Sequence, residues 1–128
     1  MAESDSNKEA VYLPADVQAG PDAYGLGILG NQLSPDLEDG EFAVFDPDAV
    51  PGRGDIVAVW WKDSDTPSVI KLHLALPPKE LWDCSEELGA VMVAETANPK
   101  RLRSAPMSKV RAVHRMVGKG EHHRRLST

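Results

Sequence analysis

The stretch Val69-Ile70-Lys71-Leu72-His73-Leu74-Ala75-Leu76 decides the fold class. Ile70, Leu72, Leu74 and Leu76 fall on one face of an extended chain, and Val69, Lys71, His73 and Ala75 on the other. A period of two held over eight residues is the mark of a β-strand. Pro77-Pro78 ends it, because proline has no N–H to give to a ladder. The strand also carries a lysine at its centre, where a charge needs solvent, an anion, or the loss of its proton.

Working outward, the same punctuation recurs. Asp55–Trp61 follows Pro51-Gly52-Arg53-Gly54 and is apolar on both faces, which predicts a central strand. Glu41–Asp46 follows the Asp39-Gly40 turn, with Phe42 and Val44 on one face and Ala43 and Phe45 on the other. Tyr24–Leu29 reads as a first strand weakened by glycine, and Ala90–Glu95 and Lys109–Val117 as two more, separated by a loop around Asn98-Pro99. Lys79–Leu88 is expected to be a short helix closed by Gly89. The expected architecture is all-β: about six or seven short strands in a strongly bent sheet, closing on Trp60, Trp61, Ile70 and Leu72.

With 128 residues there is room for one domain and a sizeable core. A single cysteine, Cys84, excludes an internal disulfide framework and multi-cysteine metal clusters. No apolar run approaches the roughly 20 residues of a membrane helix, and the first residues lack the basic and apolar regions of a signal peptide. A cytoplasmic protein without a membrane partner is expected. Net charge is −6 but graded. Residues 1–50 carry 11 acids against one lysine, and residues 100–128 carry 9 bases against one acid. A dedicated nucleic-acid domain usually shows a basic face throughout, so the basic end reads as solvated surface, with a weak polyanion contact the lesser reading. Residues 1–10 are polar and acidic and are expected to be disordered. The domain plan is an acidic, mostly disordered leader (1–23), a β domain (24–118) and a basic tail (119–128).

Several literal motifs fail for physical reasons. Gly25-Leu26-Gly27-Ile28-Leu29-Gly30 matches the dinucleotide fingerprint, but Pro21-Asp22 before it and Ser34-Pro35 after it leave no room for the strand and helix that motif requires. Its glycines are better read as letting a strand bend or approach another backbone. His122-His123 is too few ligands for a metal site, His73 and His114 sit in strands without ligand spacing, and Cys84 has no flanking base. No metal or cofactor is expected. Lys71 is different: burial pushes a lysine's pKa down, and a neutral lysine is a competent general base. A solvated or salt-bridged lysine is the ordinary alternative.

From Tyr24 to Gly118 the chain resembles the LexA-like peptidase domain of SOS repressors, phage repressors and UmuD-type proteins. The pieces, in order, are Gly30-Asn31-Gln32-Leu33-Ser34-Pro35, Leu37-Glu38-Asp39-Gly40-Glu41, Phe42-Ala43-Val44-Phe45-Asp46-Pro47 and Gly54-Asp55-Ile56-Val57-Ala58-Val59, then Val69-Ile70-Lys71-Leu72, Glu95-Thr96-Ala97-Asn98-Pro99 and a closing strand from Val110 to Gly118. They match the family's G-D-S-M-x-P, D-G-D, D-P, G-D-I-V-V-V, V-K-R/K-L and S-D-N-P segments. The resemblance implies a Ser–Lys dyad with Lys71 as general base. At the position of the nucleophilic serine, however, stands Gln32, and a carboxamide cannot be that nucleophile. Asn31 and Leu33 likewise replace the family's Asp and Met. Ser34, two residues on, reads as a helix N-cap before Pro35, with a displaced nucleophile as the lesser alternative.

Self-cleaving members of that family carry an Ala-Gly bond upstream, and Ala19-Gly20 supplies that dipeptide in a segment, Val11–Gly20, of similar character. Only 11 residues separate Gly20 from Gln32, a short tether for folding back into a cleft. The resemblance therefore implies a catalytically inactive regulatory domain that dimerises, with Gln32 expected beside Lys71 and accepting from its ammonium. Contact with DNA would come only through a helix-turn-helix that these residues do not contain, and a regulatory protein partner is a further expectation. The alternatives are an active serine–lysine peptidase using Ser34 and Lys71, and a stand-alone UmuD-like polymerase accessory subunit.

Overall fold

The structure is a computed structural model that describes residues 10–12, 19–84 and 89–123. The chain is all-β. Its strands are β1 (Ala10–Tyr12), β2 (Tyr24–Gly27), β3 (Phe42–Asp46), β4 (Ile56–Trp61), β5 (Ser68–Leu72), β6 (Val91–Ala97), β7 (Lys100–Pro106) and β8 (Val110–His123). They form one antiparallel sheet in the order β2-β3-β8-β4-β5-β6-β7, with β1 paired to the end of β8. Among the described residues the helical pieces are two single 3₁₀ turns, Lys79–Leu81 and Met107–Lys109, and no helix is long and apolar enough to cross a membrane.

β8 organises the sheet. Its first half, Val110 to Arg115, pairs with β4, and its second half, Arg115 to Gly120, pairs with β3. Bulges at Val44/Phe45 and Trp60/Trp61 interrupt these two ladders. A bulge bends its strand and adds twist, so one continuous sheet wraps around two interiors. One core holds Ile28, Leu33, Leu37, Ala43, Phe45, Ile56 and Ala58, and the other Val57, Val59, Leu72, Met92, Met107, Val110 and Val113. β4 explains the division: Ile56 and Ala58 point into the first core, and Val57 and Val59 into the second. This is the strand whose two apolar faces predicted a central position.

The differences from the sequence expectations are local. β5 ends at Leu72, and Leu74 is about half exposed, so the alternation outruns the paired strand. Lys79–Leu88 holds only one 3₁₀ turn, and its residues 85–88 lie outside the described set. The loop expected after Asn98-Pro99 is instead β7, hairpinned onto β6 with a register from Ala97↔Lys100 to Val91↔Pro106. β8 continues five residues beyond Gly118, through what was expected to be a tail. β1 lies within the segment expected to be mostly disordered, and residues 1–9 and 124–128 are outside the described set. Leu72 is fully buried, with Ile70 and Trp61 packed against the second core, but Trp60 closes neither core. It serves the polar cluster described below.

Candidate functional site

The site is built on the excursion between β2 and β3. After β2 the ladder runs one step further, with Ile28 N–H donating to the Glu41 carbonyl at 2.8 Å and Gly40 N–H to the Ile28 carbonyl at 2.8 Å. The loop so closed is pinned inward by Leu33 and Leu37, both buried in the first core. Gly30 takes φ +89°, a left-handed conformation suited to glycine, and its N–H donates to Asp39 Oδ1 at 2.7 Å. A Cβ on Gly30 would lie 2.5 Å from Gln32 Oε1. The glycine therefore makes room for the glutamine side chain. The run read as a degenerate fingerprint is thus a strand, β2, followed by this turn.

A second anchor comes from the β6–β7 hairpin. The Gln32 carbonyl accepts from Ala97 N–H at 2.7 Å and Asn98 N–H at 3.3 Å, and Asn98 Nδ2 donates to the carbonyls of Asn31 and Ser34, each at 3.2 Å. Asn98 thus binds three consecutive-turn carbonyls with its backbone and side chain. Gln32, so placed, borders an open cleft of about 480 Å³ together with Gly27, Leu29, Val69, Ile70 and Thr96. The turn bearing Gln32 and the strand bearing Lys71 therefore face a common space.

Lys71 itself departs from its expected contact. Its ammonium donates to Asp36 Oδ2 at 3.2 Å, in a pair whose side chains are one-third and one-half exposed. No hydrogen bond joins Gln32 to Lys71 among the described residues. The reason is register: Lys71 pairs with Ile56 on β4 and Glu95 on β6, so its side chain rises on the face over which the Gln32 turn passes, and it meets Asp36 at the end of that turn. The salt-bridged reading of Lys71 is the observed one. His73, two residues along the same face, lies 3.3 Å from Glu95 Oε1.

Ser34 is not a helix cap, because the segment following it forms turns and not a helix. Its hydroxyl donates to Glu38 Oε1 at 3.0 Å. Ala19-Gly20 lies at the opposite end of β2 from Gln32, where Gly20 N–H donates to Asp46 Oδ2 at 2.7 Å. Asp46 is buried, and the Gly20 and Asp48 N–H groups hold its carboxyl below the usual range. Glu41 is likewise lowered, first by Glu38 N–H and then by the Lys119 ammonium.

A polar cluster that sequence reading did not assemble crosses β2, β4 and β8. Trp60 Nε1 donates to the Tyr24 hydroxyl at 2.7 Å, and that hydroxyl lies 2.6 Å from His114 Nδ1. With the indole already donating, the phenol proton is directed at Nδ1, which makes His114 the neutral tautomer with hydrogen on Nε2. Burial lowers the His114 pKa against a weaker opposing pull from Asp46, and burial raises that of Tyr24. Phe45 stacks on Tyr24, and the Arg111 guanidinium lies over Trp60. The expectation that His114 is packed and hydrogen-bonded holds, but its partners come from 90 and 54 residues away, beyond the reach of local pattern.

Cys84 is a free, half-buried thiol. The His122-His123 pair ends β8, and its side chains are outside the described set. Among the described residues no group of three or more His, Cys, Asp or Glu is placed to hold a metal ion. Compared with known protein families, with curated proteins and with solved structures, the chain finds no match.

Proposed function

We propose that this chain is a LexA-like domain of the repressor and UmuD type whose nucleophile has been replaced, and that it regulates transcription by self-association and not by cleavage. The observation that carries the reading is the common cleft: the turn holding Gln32, at the position where the family pattern has serine, and the strand holding Lys71 border one space. Two further observations support inactivity. The Lys71 amine is engaged by Asp36, and the Ser34 hydroxyl by Glu38, so neither is poised toward the other. A base that is to activate a hydroxyl must be within hydrogen-bond reach of it.

Prolonged incubation at alkaline pH with a serine-directed phosphonate, followed by mass spectrometry, tests the inactive half. The expected result is an unmodified and uncleaved chain. An adduct at Ser34 that Lys71→Ala abolishes, or cleavage between Ala19 and Gly20, would make the protein a peptidase. Gln32→Ser alone is expected to stay inert, since the lysine remains on Asp36. Sedimentation tests the self-association half, and a monomer independent of concentration into the high micromolar range would remove it.

A further inference from the structure

The open edge of the sheet at β7 suits an acidic, extended partner. β7 is the last strand of the order, so it is paired on one side only, by β6. Its free backbone groups can be assigned from its neighbours. On β6, Ala97 N–H turns away to the Gln32 carbonyl, and the Val93 carbonyl accepts from His73 N–H on the β5 side. Val93 and Ala97 therefore direct their backbone groups away from β7. Their register partners, Ser104 and Lys100, must direct theirs away from β6, and so must Leu102 between them. Lys100, Leu102 and Ser104 thus present N–H and C=O groups to the open side, while Arg101 and Arg103 make the ladder with β6. Pro106, the next outward position, has no N–H and closes this window at one end; Pro99 stands just before it at the other.

The side chains around the window carry one sign of charge. Lys100, Arg101 and Arg103 are exposed, and none forms an ion pair among the described residues. Leu102, between the arginines, is 55% exposed. Like charges on an edge deter it from pairing with a copy of itself. A second β7 laid antiparallel on this one would set cation against cation. An acidic strand meets the opposite situation, because cross-strand pairs of opposite charge are favourable.

We infer that β7 receives an acidic extended peptide segment of a partner protein by strand addition, with Lys100, Leu102 and Ser104 supplying the backbone bonds. Arg101 and Arg103 select acidic residues opposite them, and Leu102 selects an apolar residue between. Read antiparallel, the matching segment runs acid–apolar–acid–acid opposite Arg103, Leu102, Arg101 and Lys100. The inference stands apart from the fate of the Gln32 cleft.

Fluorescence anisotropy of a labelled acetyl-Thr-Glu-Val-Glu-Glu-Thr-amide peptide with the full chain tests it. Saturable binding is expected, and Leu102→Pro should weaken it by about tenfold or more, the loss of one outward N–H at the centre of the window together with the side chain beside it. Proline is tolerated at an edge position whose N–H faces solvent, so the β6–β7 ladder should survive, as an unchanged circular-dichroism spectrum would verify. Arg101→Glu with Arg103→Glu should abolish binding of the acidic peptide and confer binding of its Thr-Lys-Val-Lys-Lys-Thr counterpart. This charge-exchange arm keeps the test decisive if the proline variant does not fold. Absence of binding overturns the inference. So does acidic-peptide binding that a folded Leu102→Pro leaves intact, or preferential binding of a thymidine oligonucleotide, since either would make the edge a mere patch of positive charge.

Discussion

The two cores bury side chains equally well but are covered by different kinds of chain. The second, around Leu72, Val57 and Val59, is closed by strands and by Met107 in a 3₁₀ turn. The first, around Phe45, depends on Leu33 and Leu37, which come from an excursion held by turns and side-chain hydrogen bonds. The first core is also where the cleft, the Lys71–Asp36 pair and the Tyr24–Trp60–His114 cluster gather. Side chains available for binding tend to sit on loops that a rigid scaffold positions. Here the sheet is that scaffold, and β4, with one face in each core, mechanically joins the two halves.

The largest expected effect tests that joining. Phe45→Ala removes the largest fully buried side chain and should cost about 3–5 kcal/mol, and Leu72→Ala in the other core about 2–5 kcal/mol. If β4 couples the cores, each variant should unfold in urea as one transition seen alike by tryptophan fluorescence and far-ultraviolet circular dichroism. Two separated transitions would divide the molecule along β4.

Next in size is the anchor of the turn itself. Leu37 is fully buried and is the only link named here that ties the C-terminal side of the turn to the core. Leu37→Ala should cost about 2–4 kcal/mol. Amide exchange should accelerate first between residues 28 and 41, leaving β6 and β7 protected. Asn98→Ala, which releases the Asn31 and Ser34 carbonyls at an exposed position, should cost about 1 kcal/mol and accelerate the same amides. Equal acceleration across both cores would contradict the contrast.

The polar cluster gives the first core a pH response that the second lacks. His114 has a folded-state pKa below its unfolded value of about 6.5, so the unfolded chain takes up a proton that the folded chain resists. Its contribution is therefore complete above about pH 6.5 and is lost as pH falls through the folded value. Asp46 and Glu41, also depressed, contribute above their unfolded values near pH 4 and lose that contribution at still lower pH. Tyr24, raised, contributes below about pH 10 and loses it as pH climbs through its folded value. His114→Gln should flatten the limb just below pH 6.5 while leaving the carboxylate limb. Tyr24→Phe, which leaves the Trp60 indole without its acceptor, should cost about 1–2 kcal/mol at neutral pH. Both are read from denaturant midpoints across pH.

How much of this was legible follows from range. Alternation is a local signal, so β3, β4 and β5 and the central place of β4 could be read directly from Phe42–Asp46, Ile56–Trp61 and the Lys71 stretch. β7 could not, because Lys-Arg-Leu-Arg-Ser has little apolar alternation; it is a strand through its register with β6. The cleft's two borders were identified by resemblance, but the contact between them was misassigned. Gln32 turns over Gly30, and Asp36, one acid among many in the first fifty residues with no spacing to mark it, reaches Lys71 first. Asn98 was visible as part of an Asn-Pro turn, yet its grip on carbonyls 64 and 67 residues earlier belongs to the folded chain alone.

The smallest expected effect bears on Lys71, the residue that drew most interest in the sequence. Its pair with Asp36 is substantially exposed and has one contact at 3.2 Å. Exposed pairs contribute about 0.2–1 kcal/mol, because solvent screens the attraction and two side chains must be ordered to make it. A double-mutant cycle of Lys71→Met and Asp36→Asn should therefore return a coupling of about 1 kcal/mol or less, shrinking further in molar salt. A coupling of about 3 kcal/mol or more would signal a desolvated pair of the kind whose disruption strands a charge. Lys71 would then belong to a guarded interior site, and the contrast between a strand-closed core and a turn-covered, solvent-open one would fail at the residue nearest the cleft.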